Sequence, residues 1–189
     1  MRSAAALWLL SLAPLWAQIA KPSSLSAPGV TTPIAATQKP ARVPSQTLGE
    51  LERGFNDRLR TMADVDNPVD LLGDTRGIQL DNYGVVFTTE VSLVVTPTIN
   101  PFRQKITPEL AARVHKARVE RLPLLKAVMT EMMRNMAAAC RQVPANQQLV
   151  LAVRLYYGSW EDTTGMPAQV IMKADRESAA RGTVETEER

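Results

Sequence analysis

The chain has little of what catalytic and metal centres are built from. It carries one histidine and one cysteine in 189 residues. A lone cysteine, Cys140, cannot form an internal disulfide, so the core must supply the stability, and a chain of this size can bury one. One His and one Cys cannot complete a tetrahedral zinc site. A Ser-His-Asp or Cys-His pair would have to use His115, which sits on a polar stretch far from Cys140 in the chain. No G-x-S-x-G motif occurs, and no cofactor-binding motif either. Asp74-Thr75-Arg76-Gly77 and Asp162-Thr163-Thr164-Gly165 look like aspartic-protease triplets, but each has an extra residue before the glycine. The acids Asp64, Asp66, Asp70 and Asp74 break the EF-hand pattern, with Pro68 at the fifth position and no glycine at the sixth.

Acid is missing from the front of the chain. No Asp or Glu precedes Thr47, while Arg2, Lys21, Lys39 and Arg42 do. The front therefore carries +4, and the remainder holds 18 basic against 19 acidic residues, a net of −1, which together give the overall +3. No domain-wide basic surface exists, which excludes nucleic acid as the expected partner.

What is present at the front is an address. Met1-Arg2 is followed by an apolar run with Trp8, Leu9, Leu10 and Leu12, then Pro14 and the small Ala17. Residues 1–17 read as a secretory signal, although Leu15 is large for its place. An uncleaved anchor is the alternative; Ser11 and Pro14 interrupt a run that only just reaches the ~20 residues a span needs. The expectation is export to a bacterial periplasm or the outside, with membrane contact only during transit. Residues 18–46 hold five prolines among Ser, Thr and Ala and read as a disordered, Pro-rich linker.

From Thr47 the pattern turns globular. Leu48, Leu51, Phe55, Leu59 and Met62 recur at helical spacing. Residues 63–76 read as a loop. Residues 77–80 and 85–95 read as strands around the turn Asp81-Asn82-Tyr83-Gly84. A long helix over 107–143 has Thr107 as its N-cap, Pro108 in the first turn and Val143-Pro144 as its stop. Strands follow at 149–157 and 168–174, then a short helix at 176–181 capped by Asp175. The expectation is one α+β domain over 47–182. Its four-stranded, mainly antiparallel sheet of two hairpins is packed by the long central helix and the shorter N-terminal helix. Residues 183–189 read as a disordered acidic tail.

The long helix raises the questions of function. Pro123 should kink it. After Pro123 the inner stripe is clean, with Met129, Met132, Met133, Met136 and Cys140 within about 100° of one side. Packing is the first reading of this stripe; Cu(I) held by its thioethers and thiol is the alternative. Before Pro123 the same stripe contains Arg118 and Arg121. An apolar core does not take unpaired arginines. Three outcomes are open: both pair with the acidic loop Asp64–Asp74, both snorkel past the end of the sheet, or an arm leaves the body after Pro123 and presents both to a partner, the last being favoured over the first. Trp160, in a polar loop, either tucks back onto the sheet or anchors an interface. The edges at 77–80 and 168–174 are further contact candidates.

These readings point to an exported binding or assembly module without catalytic activity. It would contact an envelope protein or a second copy of itself. A periplasmic Cu(I)-binding protein is the alternative, and a hydrolase using acids of the 64–81 segment a more distant one.

Overall fold

The computed structural model describes residues 42–63, 68–96 and 106–189. The signal, most of the Pro-rich linker, and Asp64 and Asp66 lie outside the described residues. Eight elements follow in order: α1 Ser45–Thr61, β1 Asp70–Leu80, β2 Gly84–Ser92, α2 Pro108–Ala139, β3 Gln148–Leu155, β4 Gln169–Asp175, α3 Arg176–Arg181 and β5 Glu185–Glu188. The five strands form one sheet in the order β1-β2-β3-β4-β5. The fold is α+β, as the sequence implies, but the sheet is mixed: β2 and β3 run parallel, and the other three pairs antiparallel. A single helix between β2 and β3 returns the chain to the end where β2 began, so the second hairpin must enter parallel to the first.

Alternation along the strands sets two faces. Val85, Phe87, Val91, Leu149, Leu151 and Val153 are fully buried on one of them, under the helices. The Met side chains of α2 pack against this face: Met129, Met133 and Met136 are fully buried and Met132 nearly so. Gly77 belongs to the same face, because a Cβ there would overlap the Phe87 ring.

Two expectations need correction at the sheet edges. Residues 183–189 are not a disordered tail: 185–188 form β5 beside β4. Strand β4 is therefore not an edge. The acidic run has low strand propensity, but its carboxylates meet cations here: Glu187 meets Lys173 and Arg189, and Glu188 meets Lys126. The supposed loop before residue 77 is also partly strand, since β1 starts at Asp70. Its outer edge is closed by α1. Glu52 Oε1 accepts the Gly77 amide at 2.7 Å, and Asn56 Oδ1 accepts the Thr75 amide at 3.1 Å and its hydroxyl at 2.6 Å. Four helical residues advance ~6 Å and two strand residues ~6.6 Å, so side chains 52 and 56 fall in step with amides 77 and 75.

Helix α2 runs through Pro123 as one 32-residue element. Proline removes the amide that would bond the Val119 carbonyl. Both residues lie on the exposed side, where water can satisfy that carbonyl. The helix is ~48 Å long against ~26 Å for the eight residues of β3, so its first half overshoots the sheet. That half does not leave the body. The β3–β4 loop rises to meet it.

Candidate interaction surface

The meeting point is an ion pair. Arg118 is fully buried, and its Nε lies 2.5 Å from Oε2 of Glu161, whose side chain is 1% exposed. Arg118 Nη2 donates to Glu161 Oε1 at 2.9 Å and to Ser92 Oγ at 3.2 Å. Glu161 Oε1 also accepts the Gly158 amide and the Thr96 hydroxyl. The guanidinium sits 5.0 Å from the centre of the Tyr157 ring. Burial pushes the Tyr157 phenol up to about 12; Arg118 opposes this and Glu161 adds to it. The phenol stays protonated and donates to the Pro167 carbonyl at 2.6 Å. Nearby, His115 Nδ1 donates to the Asp162 carbonyl at 3.0 Å.

This geometry corrects the expectation of an arm presenting two arginines. Arg118 is enclosed, and buried Arg121 donates to the Leu93 carbonyl. Together they tie the overshooting half of α2 to the end of β2 and to the β3–β4 loop. The partner Arg118 needed was Glu161, a neighbour of Trp160 that sequence reasoning passed over. Its signal was faint: one carboxylate in a loop of several. Trp160 is half-buried and leans on its own loop, its Nε1 lying 3.0 Å from where a Gly158 Cβ would sit.

The Met stripe faces inward throughout. Cys140, at its end, is fully buried, and desolvation pushes its thiol up to about 11. The neutral thiol is a poor metal ligand. Among the described residues, no group of three or more His, Cys, Asp or Glu is placed to hold a metal ion. No helix among them is long and apolar enough to cross a membrane.

Two of the open surfaces among the described residues carry apolar side chains. One is a groove of about 600 Å³ between α1 and α2, floored by Leu51, Phe55, Val128 and Met132. The Arg58–Glu131 ion pair closes part of its rim. The other is the sheet face opposite the helices, on which no described helix packs. Across it, Ile78, Val86, Val150 and Lys173 stand in one register row, with Arg76, Thr88, Ala152 and Ile171 in the next. Ile78 is 54% exposed and Leu80 43%, whereas Val150 at the centre is shielded by its neighbours. Val86, Val150, Ala152 and Ile171 thus lie in the middle of a face that no described helix covers, flanked by the charged Lys173, Glu90 and Arg154.

No protein-family model, curated protein or solved structure matches the chain.

Proposed function

We propose that this chain is an exported binding or assembly module without catalytic activity, acting through protein–protein contact at the open face of its sheet. One observation carries the reading: the sheet edges are guarded, whereas the face that carries Ile78, Val86, Val150, Ala152 and Ile171 is covered by no described helix. Edge β1 is capped by α1, and edge β5 is short and acidic, the usual protections against unspecific strand pairing. An apolar patch that persists on a chain so protected at its edges marks a contact site. Support for export comes from the sequence of residues 1–17.

Site-specific photo-crosslinking in producing cells tests this. A photoreactive side chain at Ala152, on the open face, should yield covalent protein adducts. The same group at the exposed Ala112, on α2, should yield none. No adduct from position 152 would overturn the reading. Intact-mass analysis should show a mature chain beginning near Gln18, and retention of Met1 would remove export from the proposal.

A further inference from the structure

The geometry points to the groove between α1 and α2 as a binding site for a free single-tailed amphiphile, an alkyl chain of about twelve carbons ending in an ammonium group. The site lies apart from the open sheet face and does not rest on the reading of that face. Its walls are matched in length. The lining runs from Thr47 to Arg58 on α1 and from Val128 to Ala139 on α2, so each wall is ~16 Å long. An extended chain of about twelve carbons, with ~1.5 Å bonds in a zigzag, measures about 14 Å. The volume of about 600 Å³ falls within the roughly 300–1,000 Å³ of ligand clefts.

Gly54 keeps the groove open. It stands in the middle of α1, where only proline is a poorer helix former. A Cβ at this position would meet nothing within 4 Å, so packing inside the chain does not require the glycine. A larger side chain there would enter the groove and take the space of a ligand.

The floor decides which occupant fits. Leu51, Phe55 and Met132 line the groove yet are only 9, 1 and 4% exposed. The groove is therefore a narrow slot, which admits one file of methylenes and not a helix ~10 Å across. Nor does a slot of this size approach the ~1,200 Å² of a specific protein interface. The rim decides the head group. Arg58 is committed to Glu131, donating to both of its carboxylate oxygens. Glu50 is exposed, accepts from Gln46 Nε2 at 2.9 Å, and has no base beside it among the described residues. One carboxylate on the rim is thus uncompensated. It attracts an ammonium and repels a carboxylate or phosphate head. The same charge disfavours seating against an anionic bilayer, so the amphiphile arrives singly from solution.

Methyl NMR of the methionines tests this, with protein purified from producing cells and dodecylammonium chloride as the probe. The Met132 resonance, assigned by its loss in Met132→Leu, should shift and saturate with a midpoint of about 100 µM, the strength a single chain of similar length attains in a bilayer. The Met166 resonance, from the β3–β4 loop, should not move. Gly54→Leu should retain or raise the melting temperature, because leucine is the better helix former, and should weaken binding about tenfold or more. Ala138→Leu, at an exposed lining position, is a second block of the same kind. Dodecanoate should bind about tenfold more weakly than dodecylammonium, and Glu50→Gln should narrow that gap. Absence of a saturable shift at Met132 overturns the inference, as does equal movement of Met132 and Met166, which would mean that the probe acts on the whole fold. Folded Gly54→Leu and Ala138→Leu proteins that bind as the wild type does, or dodecanoate binding as tightly as dodecylammonium, overturn it too. Protein adducts from a photoreactive group at the exposed Asn135, on the groove, would put a protein in place of the amphiphile and reject it. None of these outcomes bears on the sheet-face reading, which the crosslinks from Ala152 decide.

Discussion

Two ion pairs on α2 have the same separation and opposite surroundings. Arg118–Glu161 and Arg58–Glu131 both bring nitrogen and oxygen to 2.5 Å. The first is sealed, at 0% and 1% side-chain exposure; the second is open to water, at 58% and 43%. Distance therefore does not rank them. Water competes with the exposed pair and screens it, so such a pair contributes ~0–1 kcal/mol. In the buried pair, attraction mostly offsets the cost of taking both charges out of water. Its weight shows when one partner is removed and the other stays behind, buried and uncompensated. One pair is a local surface contact. The other decides whether half of a long helix belongs to the body.

The sharpest way to break the comparison is to remove one acid from each pair. Glu161→Ala should destabilise by ~3–5 kcal/mol, read by denaturant unfolding. The loss should be accompanied by rising amide exchange in the first half of α2, because that half has lost its anchor. A change below about 1 kcal/mol would place the buried pair in the same class as the exposed one. Replacing both partners with apolar residues, Arg118→Met with Glu161→Leu, should cost less than the single change, since no stranded charge remains.

Next in size is the other half of the same helix. Met133→Ala removes a fully buried side chain from the seam against the sheet. It should cost ~2–5 kcal/mol, measured by the same unfolding experiment. Copper should not alter the wild-type midpoint. A Cu(I)-dependent rise lost in Met132→Ala and Met136→Ala would bring the metal reading forward.

These two halves also divide what could be read in the sequence. The Met seam was legible because apolar residues at helical spacing carry their own explanation. So were Thr107 as the N-cap of α2, whose hydroxyl accepts the Leu110 amide, and Asp175 as that of α3. Arg118 was legible as an anomaly but not in its resolution. The pairing joins residues distant in sequence, and local spacing says nothing about which loop rises over a helix. For the same reason β5 was missed. Four residues of Glu and Thr form a strand only because Lys173 and Lys126 wait beside it. Parallel entry of β3 was recoverable in principle, since one crossing helix reverses the chain once.

Smaller, and dependent on pH, is the effect of Cys140. Desolvation raises its thiol from 9.0 to about 11. The folded state thus holds the proton more tightly than the unfolded one. Its contribution is complete below pH 9 and is lost as pH rises toward 11. The melting temperature should fall across that window, and fall less in Cys140→Ala. Equal slopes in the two proteins would mean that Cys140 is not the group responsible.

The smallest expected effect belongs to the exposed pair, and it closes the comparison from the other side. Arg58 reaches from α1 to Glu131 on α2 across the rim of the groove. Position suggests a clasp between the helices; exposure argues otherwise. Both side chains give up conformational freedom to meet, and water solvates each of them almost as well when apart. Arg58→Ala should therefore cost less than about 1 kcal/mol, and salt at about 0.5 M should erase most of the difference because exposed charges are screened over a few ångströms. Glu161→Ala should show no comparable salt dependence, since ions cannot enter around Arg118. A double-mutant cycle over Arg58 and Glu131 reads the coupling directly. A coupling of about 2 kcal/mol or more would mean that the groove is narrower and drier in solution than its open rim implies, and that α1 is fastened to α2 by charge as well as by Leu51 and Phe55.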